Sequence, residues 1–425
     1  MSTGPLFPPT SGTGPLSLPQ RPPIAEHRPS LFASPAFLLF WLRQGGATLG
    51  ERVFQTALMW WTLQVTGSLT LTSFVLIGTT LPTVVLGPIA GAIADRVERK
   101  PLMAVTDALR AVLVAIACFL AVTHALTFPL AIAIATLLAV LGAFFMPASM
   151  ALLPSVVATD DLLRANSLIE STVQGAGILG PALGGLLVAA VGASGAFGFD
   201  AATYTLSCLL LLAMPFPPRA KSPQREAFWP SMRAGFRVLV DQPAIGGVLG
   251  AFACMNFFTV PVLLFLPYFA NNVFHAGARG LGLLEAAVAI GMTGGALAWA
   301  RAGAVSQRRL TLALSVLLIG VCYVGLGLFP RFEAYLGALA IVGALIATLN
   351  VVVMAFFQER VPAAEMGRFM GVLTSLVFGL MPVSYGLFGL LSAHFAPEKL
   401  LLVNGGAIAL VALLLWQVRG LDTPA

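Results

Sequence analysis

The sequence predicts an all-α polytopic membrane protein: twelve transmembrane helices in two pseudo-symmetric six-helix halves. Three observations predict it. The first is composition. Hydrophobic residues make up 58% of the chain and charged residues 9%, with a mean hydropathy of +0.93, whereas soluble domains carry about 25% charged residues. The second is the length of the uncharged runs. Residues 53–94 and 111–159 contain no Asp, Glu, Lys or Arg, and one helical span needs about 20 apolar residues, so each run crosses a bilayer twice. The third is an internal repeat. A shift of 204 residues pairs Gly87 with Gly291, Gly91 with Gly295, Asp161 with Glu365, Arg164 with Arg368 and Asp200 with Asn404. It also pairs Ser171 with Ser375, Gly175 with Gly379 and Gly185-Leu186-Leu187 with Gly389-Leu390-Leu391. Two halves facing each other across a central cavity is the physical reading of such a repeat.

The elements follow in order. The first thirty-five residues hold nine of the 29 prolines among Gly, Ser and Thr, and residues 1–34 are predicted to be a disordered cytoplasmic tail. Spans are then expected at 36–62, 69–94, 101–123, 128–153, 163–191 and 195–215. Six more follow at 244–270, 280–301, 309–329, 333–357, 366–392 and 400–418. Reversals at His124-Ala125-Leu126-Thr127 and Val191-Gly192-Ala193-Ser194-Gly195 divide the runs that carry no charge to divide them. The domain plan is an N-terminal bundle over 35–215, a cytoplasmic linker over 216–243, a C-terminal bundle over 244–418 and a short tail over 419–425.

Basic residues orient the chain. With both termini cytoplasmic, 17 of the 23 Lys and Arg side chains fall on the cytoplasmic side. Three lie on the opposite side (Arg279, Arg331 and Lys399) and three within spans (Arg43, Arg52 and Arg110). Positive charge stays on the cytoplasmic side of short loops. The expected location is therefore the inner (plasma) membrane, multi-pass, and the net charge of +6 is accounted for without nucleic acid. Cys118, Cys208, Cys254 and Cys322 sit in apolar runs, and the four histidines have no ligand-like spacing. No metal, cofactor, P-loop or nucleophile–base pair is expected, which argues against an enzyme.

Charged and glycine motifs then interrupt the apolar background. Gly91, Asp95, Arg96, Arg99 and Lys100 form the pattern G-x-x-x-D-R-x-x-R-K between helices 2 and 3. A carboxylate at that helix end can pair with basic groups and hold a neighbouring helix, while the glycine gives clearance. The pattern resembles the helix 2–3 loop of the major facilitator superfamily, and the resemblance implies a gating loop; Val97-Glu98 replaces a glycine common there. In helix 5, Gly180-Pro181 and Gly184-Gly185 resemble the antiporter signature of exporters in that superfamily. Small residues there permit close helix approach, and Pro181 frees a carbonyl. Gly50-Glu51, Pro147-Ala148, Asp161-Leu162-Leu163-Arg164-Ala165-Asn166-Ser167 and Leu179-Gly180-Pro181 together resemble the branch of the enterobactin exporter and macrolide efflux proteins. This resemblance covers residues 36–418. Helix 4 lacks the arginine to which many drug/proton antiporters give a proton-relay role.

Ionisable side chains within spans are costly and mark function. Glu51, in the middle of helix 1, is the first candidate proton-coupling acid, and Glu285 in helix 8 is the second. Asp107 and Arg110, three apart on helix 3, are expected to pair; Arg43 and Glu170 are expected to pair between helices 1 and 5. Arg52 adjoins Glu51 but points about 100° away. Asp200, near the outer end of helix 6, is an alternative second titrating group, but it is read first as an interfacial, solvated carboxylate. The resemblance implies that helices 1, 4, 7 and 10 line the cavity, with Gln55, Phe144, Met146, Asn256, Phe257 and Asn350 as substrate contacts. The expected activity is proton-coupled antiport, exporting drug-like amphipathic small molecules by alternating access. The expected partners are a small-molecule substrate, protons and the lipid bilayer, with no nucleic acid, the monomer being functional. The alternatives are a siderophore or metabolite exporter, a nutrient importer, or a receptor or assembly factor without transport.

Overall fold

The computed structural model describes residues 31–94, 97–215, 242–302, 307–418 and 421. Among these residues every regular element is helical. A 3-10 turn, Leu31–Ala33, leads into α1, Pro35–Thr66. The Ser34 hydroxyl accepts from the Phe37 amide, Pro35 occupies the first turn, and Gly67 ends the helix at φ 62°, each in its preferred place. Next come α2 (Leu69–Ala94), α3 (Arg99–Val122) and α4 (Phe128–Val156). The 3-10 turn Thr159–Asp161 leads into a 52-residue helical stretch, Leu162–Ala213. That stretch breaks at Gly192, whose φ of 74° and ψ of 176° suit glycine alone; it is therefore two spans, α5 (162–191) and α6 (193–213).

The second half starts with α7, the span Pro243–Val273, which includes Pro261, Pro267 and a π-helical turn, Phe269–Val273. It continues with α8 (Gly277–Ala302), α9 (Arg308–Leu328), α10 (Phe332–Arg360), α11 (Ala363–Leu391) and α12 (Pro397–Gln417). Ten of the described stretches are long and apolar enough to cross a membrane. The double span α5–α6 counts once among them, and α1 is missing from them; it carries Arg43, Glu51 and Arg52 within its 32 residues. Counting α1 and separating α5 from α6 gives twelve spans. Their bounds lie within four residues of the expected ones, the widest gap being Thr66 against 62. The His124 turn is present, with φ 56°. The linker 216–243 falls almost wholly outside the described residues, as do Asp95 and Arg96 of the charged loop.

Packing repeats the sequence symmetry. In the first half α2 packs on α4 and α3 on α6; in the second α8 packs on α10 and α9 on α12. The halves meet where α5 packs on α8 and α2 on α11. With an even number of spans, α1 starts and α12 ends on one face, called the terminal face below. The inter-half contacts gather at the opposite face. There Thr70 Oγ1 donates to the Gly389 carbonyl at 2.6 Å and Gln64 Nε2 donates to Asn271 Oδ1 at 2.9 Å. Gly185 of α5 abuts the Ala278 carbonyl and Gly282 of α8 the Pro181 carbonyl, so a methyl at either would overlap backbone. Toward the terminal face Gly87 and Gly91 of α2 and Gly371 of α11 have nothing within 4 Å of a Cβ position. These contacts hold the halves together at the opposite face, whereas the terminal-face ends of α2 and α11 have free space at these glycines.

Candidate functional site

One face of α1 carries a polar stripe. Gln44, Thr48, Glu51, Arg52 and Gln55 lie within about 100° of arc at 100° per residue. Gln44 Nε2 donates to Thr48 Oγ1 at 3.3 Å. The Gln55 amide bridges the two charges: its Nε2 donates to Glu51 Oε1 at 3.4 Å and its Oε1 accepts from Arg52 Nη1 at 3.3 Å. Glu51 and Arg52 are therefore joined through Gln55, as their divergent directions on the helix require. Both are exposed. Among the described residues no cation lies within ion-pairing distance of Glu51.

The glycine-proline segment of α5 sets where the stripe sits. Gly180 lies against the Cβ of Arg52, and Gly184 against the backbone of Val53 and the side chain of Thr56. Gly185 faces α8. Small residues thus let α1, α5 and α8 converge, and the convergence brings Glu285 to α1. Thr56 Oγ1 donates to Glu285 Oε2 at 2.5 Å, and Arg52 acts on Glu285 electrostatically. A side chain of the second half is thereby bonded to the first.

Behind the stripe is a buried ionic cluster. Arg43 (1% exposed), Asp107 (0%) and Arg110 (7%) lie between α1, α3, α4 and α6. Arg43 Nη1 lies 3.4 Å from Asp107 Oδ2 and Arg110 Nη1 lies 4.0 Å from Oδ1. Ser207 Oγ donates to Asp107 Oδ2 at 2.6 Å, and Arg43 donates to Gln44 Oε1 at 2.7 Å. Both guanidiniums stack on Phe145, at 4.6 and 5.1 Å, which adds cation–π attraction in a dry site. Arg110 reaches this position across Gly142 of α4, where a Cβ would collide with its guanidinium.

Several expectations change. The Asp107–Arg110 pair is present, but Arg43 pairs with Asp107 rather than Glu170. Glu170 is exposed and accepts from Gln174 Nε2 at 3.0 Å, one turn along its own helix. Asp200 is 1% exposed, not solvated, because Gly50 lets α6 press it against α1. Arg99 and Lys100 do not reach the second half. Arg99 Nη1 donates to the Ala151 carbonyl at 2.7 Å, and Lys100 Nζ to the Leu212 and Met214 carbonyls at 3.1 and 2.8 Å, a favourable place for a cation at a helix C-terminus. Gly91 faces open space in this state.

Met146 and Asn350, related by the 204-residue shift, are both exposed on α4 and α10. Phe144 is half-buried, as is Asn256, whose Nδ2 donates to its own helix at Phe252. Phe257 packs in an aromatic cluster with Phe258 and Phe388, 5.2 and 6.1 Å away. Gln44, Thr48, Thr56 and Ser207 join the site beyond the residues expected from the sequence. The first two were legible, since 44, 48, 51, 52 and 55 follow helical spacing.

An exposed acid joined through Gln55 to a guanidinium can exchange a proton and hold a polar solute. The Major Facilitator Superfamily model matches residues 40–384. An enterobactin exporter, EntS, of Citrobacter koseri is 32% identical over 279 residues, covering 64% of this chain and 65% of its own length. The chain therefore aligns with just under two thirds of that relative. Among solved structures, a mutant of the nucleoside transporter NupG superposes with a TM-score of 0.73 at 13% identity, covering 90% of this chain and all of its own. A bacterial homologue of the iron transporter ferroportin, in an inward-facing state, gives 0.73 at 15% identity over 92% and 100% of the two chains. At those identities the likeness is one of fold. The chain belongs to the Major Facilitator Superfamily, a superfamily of membrane transporters and not of enzymes.

Proposed function

We propose that this protein is a proton-coupled antiporter that exports amphipathic small molecules through the cleft between its halves. The observation that carries the reading is Glu51: a carboxylate at the middle of α1, exposed and bonded to an amide rather than a cation. Such a group can exchange a proton with whichever face the cleft reaches, and an intramembrane acid of this kind is functional by default. Solute and proton then compete for one site, and their alternation drives antiport. The named relative supports export, and a siderophore such as enterobactin is the second substrate class for that reason. The protein works as a monomer.

The test is transport by proteoliposomes of the full chain under an imposed pH gradient, with ethidium as the amphipathic cation and enterobactin as the siderophore. Accumulation that needs the gradient and collapses with a protonophore is expected for at least one. Gradient-independent equilibration of both would overturn the coupling.

The terminal face is read as the cytoplasm, from the distribution of the basic residues. Single cysteines at Ser222 and Gln307 are expected to react with impermeant maleimide only in inverted vesicles, and one at Asn272 only in intact cells. Labelling of Ser222 from outside would reverse the orientation.

The charged loop is read as a gate. Asp95→Asn is expected to reduce transport severely while the protein still folds and inserts. Full transport by a normally expressed Asp95→Asn protein would leave the loop a topogenic role alone.

A further inference from the structure

Asp200 is an aspartate of α6 to which the proposed mechanism gives no role. It is 1% exposed and its Oδ2 has no hydrogen-bond partner. The Thr203 hydroxyl lies 2.8 Å from the Asp200 backbone carbonyl and 3.2 Å from Oδ1, so its one hydrogen is divided between the two. The carboxyl sits where Gly50 leaves room on α1; a Cβ there would overlap both Oδ1 and the Thr203 hydroxyl. The titratable and charged groups facing it are Glu51 on α1, Arg110 on α3 and Tyr204 on α6 itself. None of these donates to it, although Glu51 and Arg110 act on it electrostatically.

An ionised carboxylate with a bare buried oxygen is costly, whereas a neutral acid tolerates the site. Charge balance points the same way. The connected intramembrane set holds three guanidiniums, Arg43, Arg52 and Arg110, against four carboxylates, Glu51, Asp107, Asp200 and Glu285. One proton makes the set neutral. The repeat gives an independent observation. The position related to Asp200 is Asn404, 0% exposed with both amide atoms unpartnered. An uncharged planar group of the same shape fills the equivalent niche of the second half.

We propose that Asp200 and Glu51 hold one proton between them, on Asp200 while Glu51 is ionised in the open cleft. When that proton passes to Glu51, the O–H bond at Asp200 breaks as an O–H bond forms on the Glu51 carboxylate, and the Asp200 carboxylate is left facing Arg110. Two neighbouring acids, one of them buried, share a proton because ionising both together is unfavourable. Glu51 is the end of the pair that meets water, and Asp200 is the store. The use of this proton rests on the antiport reading; its presence does not.

Infrared spectroscopy of the purified full chain, without substrate, tests it. At neutral pH the protein is expected to show the C=O stretch of a protonated carboxylic acid, displaced by carbon-13 aspartate and lost in Asp200→Asn. Glu51→Gln is expected to weaken that band, because a neutral neighbour lets Asp200 ionise against Arg110. No band, a band that survives Asp200→Asn, or a band indifferent to Glu51→Gln would each overturn the pair. If Asp200→Asn does not yield folded protein, Thr203→Val serves instead. It removes the hydroxyl on Oδ1, so the band must shift, and an unmoved band overturns the assignment. Failure of gradient-driven transport by the native protein would instead sink the antiport reading and leave this result standing.

Discussion

Glu51→Gln is expected to abolish pH-gradient-driven accumulation in proteoliposomes while leaving substrate binding and passive exchange in place. Glutamine keeps the size of the side chain and can still bond Gln55, whose amide presents both a donor and an acceptor, but it cannot carry a proton. The variant therefore separates coupling from packing. The rival role is structural: Glu51 acts electrostatically on Arg110 and Asp200, so it could serve merely to balance the guanidinium. On that view Glu51→Gln would lower thermal stability and expression and leave the coupling of the surviving protein intact. Accumulation that survives unchanged would move the coupling site to Glu285, the other carboxylate on the cleft wall.

The second large effect is expected at Asp107, and on stability. Asp107→Ala removes the anion that Arg43 Nη1 meets at 3.4 Å and Arg110 Nη1 at 4.0 Å, together with the acceptor of the Ser207 hydroxyl. Two buried guanidiniums are left without a counter-ion. Breaking a buried pair by deleting one partner costs about 3–5 kcal/mol, far more than the surface pair Arg308–Glu359 can contribute, at about 0–1 kcal/mol. The measurement is thermal unfolding in detergent, with Glu359→Gln as the surface control. Adding Arg43→Met to Asp107→Ala should recover part of the loss, because it removes one orphaned charge and refills the volume. A single variant as stable as the native protein would mean that water reaches the cluster and solvates it.

Much of the fold was legible because a bilayer leaves so few choices. Backbone groups in hydrocarbon must be satisfied within the segment, so each long apolar run is a helix, and the span bounds followed from charges and glycines. Gly192 divided two helices in sequence and in structure for one reason, its positive φ. The glycines of α5 were recognisable as packing residues. What they packed was not, since Gly180 faces α1 and Gly185 faces α8, helices far apart in the chain.

The charges were the less legible part. Arg43 and Glu170 stand at similar depth, and depth alone pairs them; rotation about the two helix axes decides otherwise, and Asp107 of α3 takes the arginine. Asp200 was expected in water because it lies near the opposite end of α6. Depth again misled, since the missing side chain of Gly50 opens a dry niche at that level.

By itself the sequence determined the twelve helices, their two related halves, the sign of the charge on each face and the inventory of intramembrane acids and arginines. These are properties of single segments in a solvent that penalises every uncompensated polar group. Only the tertiary structure decided which face of each helix meets which neighbour, and with it the Arg43–Asp107 pair, the bond from Thr56 to Glu285 and the burial of Asp200. The reason is geometric. A turn of about 100° separates adjacent residues on a helix, so one step in sequence moves a carboxylate from a wet cleft at Glu51 to the buried seam behind Gly50.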